Sequence, residues 1–393
     1  VVDLIDESYE RVVALLEETV NIPSATEDLK GVRDVGRVFE REFNSIGLQT
    51  KWLELPKEMN RAGHFYAETK GTKGKRLLLI GHLDTVLTGE KFRIEGNRGY
   101  GTGTVDMKAG NVVVYYALKA LHEAGVLKDR QIIVLFTGDE ENSGEPISIS
   151  RRDLVDAAKR SDLALSFENG GSGIATVARR GISDWRLEVT GNTGHSSQIF
   201  RESMGDGAIF EAARIINQFH ETLKGEKYLT FNPSLFSGGT ALKVTDAEIS
   251  ATGKTNVVPA RAIVRGDLRF ISDEQHQMAR AKMREIVSKN LPGTTAKIEF
   301  FDGIPSMSPR PENYAILKEL DQVSRDLGFG KIEAQDPGER GAGDISFIAE
   351  MIPGLDGLGG TGAKAHAPGE YTDLDTLSRQ IKRTALLIYR LTR

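Results

Sequence analysis

Leu77–Val86 reads LLLIGHLDTV, an unbroken apolar run followed by a histidine and an aspartate. The four apolar residues at its start are typical of a strand that is buried on both faces, as in a parallel sheet. Gly81 ends the run, and His82 and Asp84 follow it two residues apart. Residues i and i+2 of an extended segment point to the same side, so the imidazole and the carboxylate can meet. The pattern therefore predicts a buried strand that carries functional side chains at its carboxyl end.

Two later apolar runs also end in acidic side chains. The run 131–136 leads into the sequence DEEN, which begins at Asp139, and the run 162–167 leads directly to Glu168. The carboxyl ends of parallel strands meet at one edge of an α/β sheet, where such sheets bind their ligands. Carboxylates forced together at a dry strand end repel each other, and a bound cation relieves that repulsion. These strand ends therefore predict one cation-binding site.

The composition is that of an ordinary globular protein, with 393 residues, 39% hydrophobic and 27% charged. A net charge of −5 argues against nucleic acid or an anionic membrane as the main partner. No apolar run approaches the roughly 20 residues that span a bilayer. Because the chain contains no cysteine, any metal must be held by His, Asp and Glu. The sequence begins at Val1 rather than Met, which favours a periplasmic or secreted protein that has lost a signal peptide, with a cytoplasmic protein as the alternative.

The order of the helical and strand patterns predicts an α/β fold that is interrupted by a second domain. Residues 1–179 and 304–393 are expected to form one catalytic domain, with a mostly parallel sheet and helices on both faces. Residues 180–303 alternate strands with two helices, which favours an inserted α+β domain of the ferredoxin-like kind. The strands predicted there are Ser183–Thr190, Leu242–Val244, Asn256–Phe270 and Ala296–Phe301, and the helices are 205–222 and 273–289.

The candidates for the site are seven side chains: His82, Asp84, Asp106, Glu140, Glu141, Glu168 and His366. Imidazole and carboxylate donors without thiolate suit Zn²⁺, with Co²⁺ or Mn²⁺ as alternatives. The set is too large for one tetrahedral zinc, but it fits two ions about 3.5–4 Å apart that share a carboxylate, with one carboxylate left as a base. The structural alternatives are that the histidines are ordinary packed side chains and that Asp106 only caps a predicted helix over 107–124.

Six segments of the chain resemble the successive motifs of the M20 metallopeptidase family. In chain order they are GHLDTV, GTGTVDMKAGN, TGDEEN, SFENG, TGHSSQ and AHAPGEY. Each motif is moderately specific, whereas the ordered set is highly specific and covers essentially the whole chain. The closest resemblance is to the glutamate carboxypeptidase branch of the family.

This resemblance implies two divalent metal ions and five ligands. His82 and Glu168 would bind one ion, Glu141 and His366 would bind the other, and Asp106 would bridge them. Zinc is the expected metal, with cobalt or manganese as alternatives.

The resemblance also implies roles for residues next to these ligands. Asp84 would hold the second ring nitrogen of His82, and Glu140 would be the general base. Family members often have a cis peptide bond after the bridging aspartate, which is here Asp106–Met107. Many members carry a second aspartate at the position of Met107, so this chain departs from the family pattern there.

The inserted domain resembles the lid of the family, which commonly forms the dimer interface, so we expect a homodimer through residues 180–303. His195 matches the histidine that reaches the reacting carbonyl, often from the partner subunit. Asn256 and Arg269 match positions that contact the substrate, and a guanidinium suits a substrate carboxylate because it can bind one bidentately. Taken alone, His195 would be a turn histidine and Arg269 a surface strand residue.

Together these inferences predict a metal-dependent amide hydrolase. A hydroxide that bridges the two ions would attack the carbonyl, and Glu140 would pass the proton of water to the leaving amine. The expected enzyme is a carboxypeptidase that releases a C-terminal amino acid of the glutamate type, and the alternative is an N-acyl-amino-acid deacylase or dipeptidase with the same site. A non-catalytic binding protein would normally have lost a ligand or the base, and a purely structural dimerisation protein leaves the acids at the strand ends unexplained.

Overall fold

A computed structural model describes residues 1–245 and 248–393, which form two compact units. The larger unit is discontinuous in sequence and comprises Val1–Ala178, Ser308–Glu339 and Gly343–Arg393. The second unit comprises Arg179–Met307 together with Arg340–Ala342, so it begins one residue before the predicted insertion 180–303 and extends a few residues beyond it. The assignment of this unit as a lid and dimerisation domain stays a prediction.

The larger unit is built on a sheet of six strands. In spatial order they are Gln49–Leu53, His64–Glu68, Arg130–Thr137, Lys73–His82, Leu163–Ser166 and Gly354–Leu355. The last four strands run parallel to one another, whereas His64–Glu68 is antiparallel to both of its neighbours, Gln49–Leu53 and Arg130–Thr137. The predicted α/β class with a mostly parallel sheet is therefore confirmed.

The helices and remaining strands of this unit lie before, between and after the sheet strands. The helices are Val2–Asp6, Tyr9–Val20, Leu29–Ser45, Ala109–Glu123, Ile147–Ser150, Arg152–Lys159, Pro311–Asp326 and Leu374–Thr392. Short strands form a second sheet in the order Gly362–Ala363, Tyr371–Asp373, Arg98–Tyr100 and Arg93–Glu95, and Glu333–Ala334 pairs with Ile174–Ala175. Among residues 1–245 and 248–393, no helix combines the length and the apolarity that a membrane crossing requires.

The central strand Lys73–His82 is buried where the sequence is apolar. Its residues 77–80 are each at most 1% exposed, as expected for a strand covered on both faces. On the neighbouring strand, the ring of Phe136 has three aromatic neighbours, with centroid distances of 5.3 Å to Phe39, 6.0 Å to Phe43 and 5.8 Å to Phe65. These contacts pack the strand Arg130–Thr137, near its carboxyl end, against the helix Leu29–Ser45 and the strand His64–Glu68.

Gly81 is required by a close approach of side chains to the strand. A Cβ atom added at this position would lie 2.2 Å from Oδ1 of Asn111 and 2.9 Å from Cε of Met107. The absence of a side chain lets Asn111 Nδ2 donate a 2.6 Å hydrogen bond to the carbonyl oxygen of His82. The glycine therefore ends the apolar run and also lets neighbouring side chains support the adjacent histidine.

The second unit has a four-stranded antiparallel sheet and two helices. The strands lie in the order Thr230–Gly239, Arg261–Phe270, Gly181–Gly191 and Thr294–Asp302, and the helices are Ala208–Leu223 and Asp273–Val287. Along the chain this is strand–helix–strand–strand–helix–strand, the order of a ferredoxin-like fold. Its core packs the ring of Trp185 edge-on against Phe219, at a centroid distance of 5.8 Å.

One strand prediction in this unit is wrong. Leu242–Val244 does not join the four-stranded sheet, because the strand Ala241–Val244 pairs with Ile249–Thr252 in a separate hairpin. The fourth place in the sheet is taken by Thr230–Gly239, which contains Pro233 and was not predicted as a strand. Proline is tolerated on an edge strand, and the register shifts between Pro233 and Leu235.

A buried ionic cluster supports the loop after the strand Arg130–Thr137. Arg151, with a side chain 2% exposed, lies 2.7 Å from Asp139 through Nη1 and 2.7 Å from Asp344 through Nε. Thr137 Oγ1 donates to Asp344 at 2.5 Å, and Ser150 Oγ donates to Asp139 at 2.6 Å. One buried guanidinium therefore compensates two buried carboxylates, one of which directly precedes Glu140.

Replacing Arg151 with methionine is expected to lower the free energy of unfolding by about 3–5 kcal/mol, because two buried carboxylates lose their cation. The matched control is Arg152→Met at the next position, where the side chain is 53% exposed; it is expected to change the free energy of unfolding by less than about 0.5 kcal/mol. Urea denaturation monitored by circular dichroism measures both values. Equal stability of the two variants would show that the buried carboxylates do not need the guanidinium.

Candidate metal centre

The three strands that the sequence singled out are neighbours in the central sheet, and their carboxyl ends lie at one edge. Lys73–His82 lies between Arg130–Thr137 and Leu163–Ser166 and is parallel to both. His82 is the last residue of its strand and is 1% exposed, and Glu168 lies two residues beyond its strand with a side chain 10% exposed. Strand direction and neighbourhood therefore bring these side chains together.

Asp106 lies between two imidazole rings and presents one carboxylate oxygen to each. Its Oδ1 lies 3.1 Å from Nε2 of His82, and its Oδ2 lies 3.1 Å from Nε2 of His366. A second acid flanks each ring, since Nε2 of His82 lies 3.4 Å from Oε1 of Glu168 and Nε2 of His366 lies 3.1 Å from Oε2 of Glu141. Each half of the centre thus has one imidazole, one acid of its own and one oxygen of Asp106.

Three groups of possible metal donors overlap in this centre. Within each group the donor atoms lie within 4.8 Å of one another, and the groups are His82, Glu140 and Glu141; His82, Asp106 and Glu168; and Asp106, Glu141 and His366. All five ligands and the general base that the resemblance implies are therefore in one place. Their roles as ligands and base stay proposals.

The donor set has the chemistry of a site for divalent cations. Oε1 of Glu141 is buried and has no hydrogen-bond partner among the residues that the structure describes. Burial and the neighbouring Glu168 carboxylate raise the pKa of Glu140 well above its ordinary value, and burial also raises the pKa of Glu141. Hydrogen bonds with Asp106 and Glu141 raise the pKa of His366 to about 10. The cluster thus favours positive charge among its carboxylates, which fits two cations held by nitrogen and oxygen donors.

Asp84 holds His82 and the acidic loop in place from the buried side. Its Oδ1 lies 3.4 Å from Nδ1 of His82, and Thr26 Oγ1 donates to its Oδ2 at 2.7 Å. The backbone N–H groups of Glu140 and Glu141 each donate to the carboxylate at 3.1 Å. Burial opposes ionisation, but these contacts hold the pKa of Asp84 below its ordinary value. Asp84 thus lies on the far side of the His82 ring from Asp106, with its backbone carbonyl oxygen 3.0 Å from Nδ1; its role in holding that ring stays a prediction.

The segment that carries Asp106 is irregular rather than helical. Residues 104–108 wind loosely, with φ −121° and ψ 94° at Asp106, and the helix begins only at Ala109. The alternative of a simple helix cap for Asp106 is therefore wrong. The Asp106–Met107 peptide bond is cis, as the resemblance implied. Met107 Sδ accepts a hydrogen bond from the backbone N–H of His82 at 3.3 Å, so the unusual methionine packs beneath the centre.

Glu370 is a residue to which the sequence assigned no role. Its carboxylate is 4% exposed and accepts three backbone hydrogen bonds, from Gly103 and Val105 at 2.8 Å and from Asp106 at 3.0 Å. Burial raises its pKa to about 6. Glu370 lies four residues after His366 in the motif AHAPGEY, so one side chain ties the loop of His366 to the backbone of Asp106. The only signal in the sequence was its place inside that motif.

The three other predicted site residues lie in the second unit. His195 is exposed and forms an antiparallel bridge with Val257, which places it beside Asn256. Arg269 directs its Nε toward Asp267, at 3.2 Å from Oδ2. The structure therefore brings His195 and Asn256 together and pairs Arg269 with an acid, and their contact with a substrate stays a prediction.

Comparison with known proteins gives the same family as the motifs. Residues 78–390 match the sequence profile of peptidase family M20/M25/M40. Carboxypeptidase G2 from Pseudomonas sp. strain RS-16 is 29% identical over 392 residues, which cover 96% of this chain and 88% of that protein. A succinyl-diaminopimelate desuccinylase from Gluconacetobacter diazotrophicus is 24% identical over 378 residues, 93% of either chain.

Among solved structures, the YXEP protein of Bacillus subtilis, a dinuclear metal binding peptidase of the M20 family, has the same fold. It superimposes with a TM-score of 0.69 at 15% identity and covers 98% of both chains. The resemblance to M20 metallopeptidases, close to their glutamate carboxypeptidase branch, is thus confirmed. Because the family profile spans most of its length, the chain belongs to peptidase family M20/M25/M40 and is a hydrolase of the metallopeptidase type.

Proposed function

We propose that this protein is a metal-dependent carboxypeptidase that releases a C-terminal amino acid of the glutamate type from a small peptide or N-acyl amino acid. The observation that carries the proposal is the position of Asp106, whose two oxygens each face a different imidazole. A shared carboxylate of this kind supports a pair of metal ions rather than a single ion. The similarity to carboxypeptidase G2 supports assignment as a carboxypeptidase.

We assign two divalent cations to the centre, most simply zinc, with cobalt or manganese as alternatives. His82 and Glu168 would hold one ion, Glu141 and His366 the other, and Asp106 both. When bound, the cations supply an activated water molecule at neutral pH and positive charge for the oxyanion that forms.

Glu140 is the proposed proton carrier. Its carboxylate lies within 4.8 Å of donor atoms of His82 and Glu141, yet it is not needed to complete the set of five ligands. It would accept a proton from the attacking water molecule and donate it to the leaving amine nitrogen. Asp84 would keep the His82 ring aligned through Nδ1, because it contacts that nitrogen from a fully buried position.

Substrate recognition is assigned to the second unit from the family resemblance. Arg269 would bind the free carboxylate of the substrate, since a guanidinium offers paired donors to a carboxylate. His195 would donate a hydrogen bond to the developing oxyanion. Asn256, which lies beside His195, would contact the same oxyanion. An N-acyl-amino-acid deacylase is the second candidate, which the similarity to a desuccinylase favours.

We also propose that the protein is a homodimer through its second unit. The large apolar side chains exposed there include Phe200 at 65%, Phe210 at 55%, Phe236 at 43% and Ile209 at 40%. The rings of Phe200 and Phe210 lie 5.7 Å apart, and Phe236 belongs to the edge strand Thr230–Gly239. Exposed apolar side chains beside a strand at the edge of a sheet are typical of an interface between subunits.

A small substrate panel tests the proposed activity. N-acyl glutamates, other N-acyl amino acids and dipeptides are assayed with and without added Zn²⁺. We expect glutamate release to have the highest kcat/KM, to disappear with a chelator and to return with metal. Faster cleavage of another N-acyl amino acid would keep the chemistry and establish the deacylase instead, whereas no turnover of any substrate by metal-loaded protein would contradict both activities.

Glu140→Gln is expected to lower kcat by about 10²–10⁴-fold, the usual contribution of a positioned acid or base. The metal content, measured by atomic absorption, should stay at the wild-type level because the five ligands are intact. Glu145→Gln in the same loop is the control, since Glu145 is exposed and belongs to none of the three donor groups. An E140Q enzyme with wild-type turnover, or one that has lost a metal ion, contradicts the assignment.

Phe210→Asp is expected to weaken the homodimer by about 10²–10⁴-fold, because two symmetric copies would each lose roughly 1.5–3 kcal/mol of apolar burial. Sedimentation equilibrium measures the dissociation constant. The control is Tyr314→Asp, an aromatic residue 45% exposed on a helix of the larger unit. A wild-type protein that is monomeric, or an F210D dimer as tight as wild type, would rule out this interface.

A further inference from the structure

The sheet of the second unit carries a polar cavity on the face opposite its helices. Trp185 and Leu187 of the strand Gly181–Gly191 pack into the helix-covered core. Side chains alternate along a strand, so Asp184 and Arg186 point to the other face. A cavity of about 620 Å³ lies there, within the size range of small-molecule sites.

Like charges lie directly opposite each other on the floor of this cavity. Asp184 is paired in register with Asp267, and we call this pair the acidic rung. Two residues further along the strand, and so on the same face, Arg186 is paired with Arg265, and we call this pair the basic rung. All four residues line the cavity. Like charges on directly opposed residues destabilise a sheet, and ion pairs of Arg186 with Glu188 and of Asp267 with Arg269 offset part of that cost.

One buried donor on this floor has no hydrogen-bond partner in the part of the chain that the structure describes. It is Nε of Arg186, and Nη2 of the same side chain forms an ion pair with Glu188. Partial burial and the adjacent Asp267 raise the pKa of Asp184, against a smaller opposing effect of Arg269. Arg269 itself pairs with Asp267. The acidic rung thus has one cation for two carboxylates, and the basic rung keeps a donor to spare.

We propose that this cavity, the zwitterion pocket, binds a small zwitterion of about dipeptide length. The ammonium group of the ligand lies between Asp184 and Asp267, and its carboxylate lies between Arg186 and Arg265. A ligand of the same length with two positive or two negative ends would have one of its charged ends beside a rung of the same sign. None of these four residues is a proposed metal ligand, base or substrate contact, although Asp267 pairs with Arg269, to which substrate binding is assigned.

The spacing of the two rungs sets the length of the ligand. Residues i and i+2 of an antiparallel strand are about 7 Å apart, and two extended amino acid residues span at most about 7 Å. The ends of a free dipeptide, or of an ω-amino acid of similar length, therefore reach both rungs. The ends of a single α-amino acid are closer together than the rungs.

The probe for this pocket is 6-aminohexanoate, which has a charge at each end and no amide bond for the enzyme to cleave. Isothermal titration calorimetry of the metal-loaded wild-type protein is expected to show saturable binding to one site per chain. Hexanoate and hexylamine, which each lack one of the two charges, are expected to bind at least 10-fold more weakly.

Asp184→Asn is expected to weaken binding of 6-aminohexanoate at least 10-fold, and Arg186→Gln should act similarly from the carboxylate end. The control is Asp302→Asn, which makes the same chemical change on the strand Thr294–Asp302, where Asp302 pairs with Arg280 rather than lining the cavity. The D184N protein should retain the metal content of the wild type, because no proposed ligand is changed.

Three results would overturn the pocket. One is the absence of saturable binding to the wild-type protein. Another is equal binding by D184N and wild type, which would place the ligand elsewhere, for example at the metal centre. The third is equally tight binding of hexanoate or hexylamine, which would show that only one rung is used. None of these results depends on which substrate the enzyme hydrolyses.

Discussion

Repulsion among carboxylates at the ends of three parallel strands is the constraint on which the rest of the larger unit depends. Asp106, Glu140, Glu141 and Glu168 lie within a few ångströms of the same two imidazole rings. Such a cluster is costly in a folded protein unless positive charge compensates it. The apolar strands hold the acids together despite this cost. The proposed pair of metal ions would compensate the negative charge, so the crowded carboxylates would favour metal binding. The bound ions would in turn supply positive charge for catalysis.

Two further buried carboxylates stabilise the loops by accepting backbone hydrogen bonds. Asp84 receives the N–H groups of Glu140 and Glu141, and Glu370 receives three N–H groups around Asp106. Neither loop could satisfy these donors in a helix or a sheet, so a buried acceptor is needed for each. Asp84 and Glu370, neither of which is a proposed metal ligand, therefore maintain the irregular backbone around the centre.

Local periodicity and motif order were sufficient to predict the central strands and the side chains that meet at the candidate metal centre. The apolar runs located the strands, and their acidic ends located the centre. The role of Glu370 escaped prediction because its partners lie more than 260 residues away. The edge strand Thr230–Gly239 was missed because an edge strand tolerates the proline and polar residues that otherwise indicate a loop. The pairing of Asp184 with Asp267 was also invisible, since it depends on the register of two strands.

Because the larger unit is discontinuous in sequence, the ribosome makes its proposed metal ligands at different times. Four of the five proposed ligands lie at or before Glu168, whereas His366 comes after the whole of the second unit. At about 5–20 residues per second, a ribosome needs roughly 10–40 s to travel from Glu168 to His366. While the second unit is being synthesised, the nascent chain therefore already contains four of the five proposed ligands but not His366. The site proposed for the ion of Glu141 and His366 would consequently be completed only at the last stage of synthesis or later.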